Sequence, residues 1–278
     1  MQYGLSKGID HRAFPLDMPL DERFAVARDV GFDGLELAIG GKEGLPLDIS
    51  DADCERLRRL GETHTPICSV NGGRALLERP LTGGSAEDRQ AAMAMAARLI
   101  DLTAALGTDT LLFVPGLVQP DSPYDDTWDC ALRCTRELAE YAAERGVHLA
   151  VENVWNRFLL SPMEMASFID SVGHPSVHSY FDIANTLLFG YPQHWIKVLG
   201  RRIWRVHVKD FRVSVASLGG FTQPLQGDVD WPVVVSALHR SGYRGFLTAE
   251  VPCYRYCGVQ TVRDASAALD AVIGLLGA

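Results

Sequence analysis

The chain has 278 residues, 47% of them apolar, and carries a net charge of −9 with a pI near 5.3. That is enough apolar material for one large core, so a single domain over residues 1–278 is expected, while an acidic chain with no dense Lys/Arg run is ill suited to gripping nucleic acid. The opening MQYGLSKGIDHRAF lacks a basic segment followed by an apolar signal core, and no apolar stretch reaches the roughly 20 residues that span a bilayer. A cytoplasmic protein with neither a membrane nor a nucleic-acid partner is the expectation.

In chain order, short apolar runs alternate with longer segments of helical period, the pattern of a parallel sheet wrapped by crossover helices. Strand candidates are YGLSKGI from Tyr3, GLELAI from Gly34, PICSVNGG from Pro66, TLLFVPG from Thr110, HLAVEN from His148, HSYFDIA from His178, IWRVHVKD from Ile203 and FLTAEV from Phe246, eight in all. Between them, Ser85 and Asp88 form a capping pattern ahead of a helix over Ala91 to Leu106, and glycines in DVGFDGLEL, ALGTDTLLF, ERGVHLAVE and SGYRGFLTAE read as helix stops. Segments Gly40 to Asp48, Gly72 to Gly84 and Arg212 to Asp228 have no pattern, and each follows a strand. Eight strands without a glycine-rich phosphate turn after the first favour an α/β fold of the (β/α)₈ TIM barrel type over an open doubly wound sheet. Of six cysteines, Cys130 and Cys134 lie one helical turn apart and Cys253 and Cys257 follow the last strand; all read as reduced thiols.

Strands five to eight each end on a residue able to bind a metal: Glu152 in LAVEN, Asp182 in SYFDI, His207 in RVHVKD and Glu250 in LTAEV. Carboxylate oxygens with one imidazole nitrogen suit a divalent cation, manganese first, with magnesium, cobalt or zinc tolerated. Any one of the four alone could be an ordinary hydrogen-bonding residue. Placed equivalently on successive strands, three acids and a histidine require a counter-charge.

The segments VENVWNRF, YFDIANTLLFG, RVHVKDFR, GDVDW and GFLTAEV resemble, in order and spacing, the xylose-isomerase-like sugar isomerases and epimerases, in particular D-tagatose, D-allulose and L-xylulose 5-phosphate 3-epimerases. The resemblance implies that Glu152, Asp182, His207 and Glu250 are the metal ligands, that Glu152 and Glu250 are also the acid/base pair, and that the chain assembles as a dimer or tetramer. The implied chemistry is coherent. A cation beside a keto-sugar carbonyl acidifies the adjacent C–H, one glutamate removes that proton through an enediolate, and the second returns a proton to the opposite face or to the neighbouring carbon.

Arg212 resembles the arginine such epimerases set against substrate oxygens. Asn185 stands where free-sugar epimerases often carry histidine, which leaves a phosphorylated or otherwise modified sugar open. Trp155 and Arg157 after strand five, Glu36 on strand two and Asn71 on strand three are further candidate substrate contacts, with Lys209 and Asp210 a possible ion pair orienting His207. Arg74, Arg157, Arg212 and Arg255 lie on four rim loops that permit a phosphate site, whereas His11 reads equally as structural. A lyase acting on an inosose or a 3-keto glycoside begins with the same proton abstraction and is the alternative. A metal-dependent nuclease of the AP-endonuclease type is disfavoured by the acidic charge and single clear metal-binding histidine.

Overall fold

All eight expected barrel strands form in a computed structural model that describes residues 3–277. They are β1 (Leu5–Asp10), β2 (Gly34–Ala38), β3 (Ile67–Asn71), β4 (Thr110–Phe113), β5 (His148–Glu152), β6 (Val177–Asp182), β7 (Ile203–Val208) and, after a small hairpin of β8 (Asp210–Phe211) and β9 (Phe221–Thr222), β10 (Gly245–Ala249). The eight long strands close in the order β1-β10-β7-β6-β5-β4-β3-β2. Closure comes from β1 against β10, with Leu5 to Ile9 registered on Gly245 to Ala249. Every residue of β2, β3 and β4 is buried, as expected of parallel strands covered on both faces.

The outer layer is α1 (Leu20–Asp29), α2 (Asp51–Thr63), α3 (Gly73–Glu78), α4 (Ala86–Ala105), α5 (Tyr124–Ala143), α6 (Pro162–Val172), α7 (Pro192–Leu199), α8 (Trp231–Arg240) and α9 (Gly258–Gly274). Helix α4 begins directly after Ser85, five residues earlier than the alanine pattern suggested. Ser85 Oγ accepts from the Asp88 backbone N–H while the Asp88 carboxylate accepts from the Ser85 backbone, a reciprocal cap that Ser161 and Glu164 repeat on α6. Gly107 and Gly146, expected as helix stops, turn the chain at φ +78° and +67°. Cys134 on α5 is buried, which pushes its thiol up to about 11, consistent with core filling.

Two of the segments without sequence pattern have structure of their own. The stretch from Gly72 contains α3, whose first N–H is held by Asn71 Oδ1 at 3.1 Å. The stretch from Arg212 is organised by Asp210, which is fully buried. Its carboxylate accepts from the backbone of Phe211, Leu225 and Val229 and from Trp231 Nε1 at 2.9–3.0 Å. Asp210 therefore anchors the long loop and does not pair with Lys209 or orient His207.

At the amino-terminal mouth of the barrel, His178 Nε2 lies 3.2 Å from His148 Nδ1. Trp204 stacks on His178 with ring centres 4.5 Å apart and donates from Nε1 to Thr110 Oγ1 at 3.0 Å. Burial lowers both imidazoles, His178 to about 4 with the neighbouring His148 charge adding to the effect. His11, buried beyond the end of β1 with Arg23 bonded to its Nδ1, is lowered to about 4 by burial and by the charges of Arg12 and Arg23 against the opposing pull of Asp10. Folding favours the neutral form of all three, while the unfolded chain takes up protons near 6.5. The stability these three groups contribute is therefore fully present above pH 6.5 and is lost as the pH falls from there toward 4. Urea midpoints at pH 7, 5.5 and 4.5 are expected to decline in sequence, and to decline less in a His148→Gln/His178→Gln double variant. Midpoints that do not move over that window in the wild type contradict the reading.

Candidate metal centre

The parallel register sets the chemistry at one level of the barrel. Glu152 ends β5, Asp182 ends β6 opposite His207 of β7, and Glu250 follows β10, whose Thr248 lies beside His207. One donor atom from each of the four falls within 4.8 Å of all the others. His207 Nδ1 faces the acids, 3.3 Å from Glu152 Oε1, 3.7 Å from Glu250 Oε2 and 3.8 Å from Asp182 Oδ2. Its other nitrogen, Nε2, lies 2.8 Å from Glu36 Oε1. A carboxylate there accepts the hydrogen bond from Nε2–H and so aims Nδ1 into the cluster, which is how a metal-binding imidazole is held in one orientation.

Glu36 is itself fixed. Ser69 and Tyr180 each donate to its Oε2 at 2.7 Å, and Asn71 Nδ2 lies 3.3 Å from its Oε1. Burial alone would raise this carboxyl, yet the charge and hydrogen bond of His207, with those of Ser69 and Tyr180, hold it down at about 2. Above it, Lys209 Nζ bonds to Asp182 and to Glu250 Oε2, the latter at 2.5 Å. Arg12 Nη2 bridges Glu250 Oε1 at 2.9 Å and Asp10 Oδ2 at 2.5 Å.

The two glutamates consequently differ. Burial raises Glu152, and the negative charges of Glu250 and Asp182 add to this against the pull of His207. Glu250 is only half-buried, and against the desolvation it does suffer it is held low by Lys209, His207 and Arg12. Lys209 keeps its proton despite burial because Asp182, Glu250 and Glu152 surround it, and the acids likewise push His207 well above its ordinary value. Counting Asp10, Glu36, Glu152, Asp182 and Glu250, five carboxylates face at most three cationic side chains, so the rim remains short of positive charge. A divalent cation fits this donor set of three hard oxygens and one imidazole nitrogen, and Nδ1 would exchange its proton for the ion.

A cavity of about 1050 Å³ opens over the cluster, bounded by Glu152, Glu250, Lys209 and Arg12. Three expected contact residues line it. Trp155 packs against Phe221 with ring centres 5.1 Å apart and donates to the Asn185 carbonyl at 2.9 Å. The Asn185 backbone N–H donates to Asp182 Oδ1 at 2.8 Å, and Asn71 closes the far side. Of the four rim arginines, Arg74 and Arg255 also face this cavity.

Three other expectations are corrected. Glu36 is no substrate contact: it lies two residues before the end of β2, one layer deeper in the barrel, fully buried beneath His207. Arg212 is exposed beyond β8, where its Nε donates to the Gln226 carbonyl, and does not line the cavity. Arg157 borders a neighbouring apolar pocket instead. Arg12 was missed. The available signal was Asp10 at the end of β1, which caps the Arg12 backbone N–H at 2.7 Å and grips its guanidinium with both oxygens. Lys209, adjacent to Asp210 in the sequence, instead turns its ammonium into the cluster, onto Asp182 and Glu250.

The sequence profile of the xylose isomerase-like TIM barrel family matches residues 24–273. Among curated proteins, the chain is 26% identical over 143 residues to an inosose dehydratase of Geobacillus thermodenitrificans, covering 45% of this chain and 47% of that protein. It is 28% identical over 163 residues to a 3-dehydroshikimate dehydratase of Pseudomonas putida, covering 56% of this chain and 25% of that protein. The chain spans less than half the length of either relative. Among solved structures, a D-psicose 3-epimerase crystallised in the presence of D-fructose superimposes with a TM-score of 0.81 at 17% identity over 98% of this chain and all of that one, a likeness of fold.

Titration calorimetry with Mn²⁺ tests the support that Glu36 provides. Glu36→Gln is expected to weaken binding by about 10- to 100-fold with the thermal midpoint of the protein largely kept, and Asp182→Asn to remove it. Equal Mn²⁺ affinity in wild type and Glu36→Gln contradicts the assignment.

Proposed function

The chain belongs to the xylose isomerase-like TIM barrel family, and from that premise we propose that it is a divalent-metal-dependent epimerase or isomerase of a keto sugar or sugar phosphate, in its simplest form a ketose 3-epimerase. The observation that carries this reading is the meeting of Glu152 and Glu250 in one cluster with opposed proton affinities. Paired carboxyls pushed in opposite directions are the ordinary way for one site to hold an acid and a base together.

When bound, the cation, manganese by first expectation, supplies positive charge beside the substrate oxygens and so acidifies the adjacent C–H. Glu250, kept ionised by Lys209 and Arg12, takes the proton from one face of that carbon. Glu152, for which burial favours the protonated form, delivers a proton to the other face, or to the neighbouring carbon for isomerisation. Solvent exchange at the two carboxyls restores their starting states. Asn185 and Asn153 hold the Asp182 strand end in place, Asn153 through paired bonds of 2.8 Å to the Asp182 backbone.

A second reading keeps the proton abstraction and ends in loss of water. Lys209 favours it, because its ammonium beside Asp182 and Glu250 can hydrogen-bond a departing hydroxyl while Glu152 supplies the proton, a role that a shuttle between two glutamates does not need. The names of the two curated relatives described above, both dehydratases, point the same way.

Incubation of the Mn²⁺-loaded protein in D₂O with free ketoses, ketose phosphates, inososes and 3-keto glycosides, followed by NMR, separates these outcomes. Deuterium is expected at the carbon beside the carbonyl and in an epimeric or isomeric product, with at least 100-fold loss in Glu152→Gln and in Glu250→Gln. An unsaturated product moves the assignment to the lyase. Absence of exchange with every substrate, while the metal is bound, contradicts both.

A further inference from the structure

Beside the metal cavity lies a second pocket of about 270 Å³ that the proton-transfer chemistry does not use. The two share Val154, Trp155 and Asn185 as walls, so the side pocket adjoins the strand ends that carry Glu152 and Asp182. Its remaining surface is mainly apolar, from Leu159, Leu160, Phe189 and Trp195. We propose that the substrate carries an apolar ring beyond its keto-sugar part, as in an aryl glycoside, and that this ring occupies the side pocket while the sugar lies over the metal centre.

Size agrees: an apolar cavity of roughly 150 Å³ already holds a benzene molecule. The metal cavity, at about 1050 Å³, lies at the upper end of what encloses drug-sized ligands and is generous for a monosaccharide alone. Shape agrees as well. Trp155 presents its indole between the pockets, fixed by its bond to the Asn185 carbonyl, with Phe189 approaching edge-on at 6.2 Å between ring centres. Phe189 and Leu160 are 74% and 59% exposed, large apolar groups left in water at the edge of a pocket. The loop that shapes the pocket is also strained, with Arg157 and Leu159 at φ +60° and +54°, conformations that non-glycine residues rarely adopt and that cluster at ligand sites.

The proposal rests on the sugar reading of the metal centre but is tested by binding, without turnover. Dissociation constants of phenyl β-D-glucopyranoside and methyl β-D-glucopyranoside for the Mn²⁺-loaded protein are measured by NMR titration, in wild type and in Phe189→Ala and Leu160→Glu, both at exposed positions. The phenyl glycoside is expected to bind about tenfold tighter in wild type, from burial of one ring, and that preference is expected to fall by most of its value in each variant while methyl-glycoside binding is kept. Equal binding of the two glycosides, no measurable binding of the phenyl glycoside, or a preference unchanged in both variants overturns the proposal. So does conversion of an oligomer to monomer by Phe189→Ala with the phenyl preference intact, which assigns the apolar edge to a second copy of the chain. Failure of deuterium exchange leaves these binding results standing, so the two readings fail separately.

Discussion

Three carboxylates and one imidazole at the rim of a closed barrel are held together only at the cost of bringing like charges close in a poorly hydrated place. The surroundings read as a response to that cost. Glu36 accepts the His207 Nε2–H hydrogen bond from below, Lys209 reaches between Asp182 and Glu250 from above, and Arg12 closes the far side of Glu250 while leaning on Asp10. These cations leave the acids in excess. The same deficit that destabilises the bare rim suits it to a divalent ion, and the surroundings divide the two glutamates into one that favours a proton and one that does not.

The barrel separates this charged end from an end that serves stability. At the amino-terminal mouth, His148, His178 and Trp204 stack as neutral rings, and their cohesion depends on staying uncharged. At the carboxyl end, Asp210 ties down a long loop through four hydrogen bonds, so that Phe221 can stand behind Trp155 as a fixed aromatic wall. Substrate choice on such a frame lies in the loops, and the strained turn after β5 is where this chain builds an apolar annex to the common site.

Much of this was legible in the amino-acid order because it depends on local pattern. Strands that are buried on both faces read as unbroken apolar runs, and a metal-binding residue at the end of each of four such runs stands out. What stayed hidden depends on closure of the barrel. Arg12 meets Glu250 across 238 positions, and Glu36 meets His207 across 171, contacts that no spacing rule conveys. The depth of a side chain was equally hidden: Glu36 and Asp182 are both buried acids on apolar strands, yet ending the strand or preceding its end by two residues decides between a place in the four-residue cluster and a place behind His207. Helix α3 is six residues long, too short for its period to register against the glycines around it.

The central claim is that Glu152, Asp182, His207 and Glu250 hold a single divalent ion through His207 Nδ1. Anomalous diffraction at the manganese edge from crystals grown with Mn²⁺ tests it most directly. One peak is predicted, within about 2.0–2.4 Å of an oxygen of each carboxylate and of His207 Nδ1, with Nε2 still on Glu36. A structure with Lys209 still seated between Asp182 and Glu250 and no peak among the four residues, or with the peak elsewhere, would contradict it.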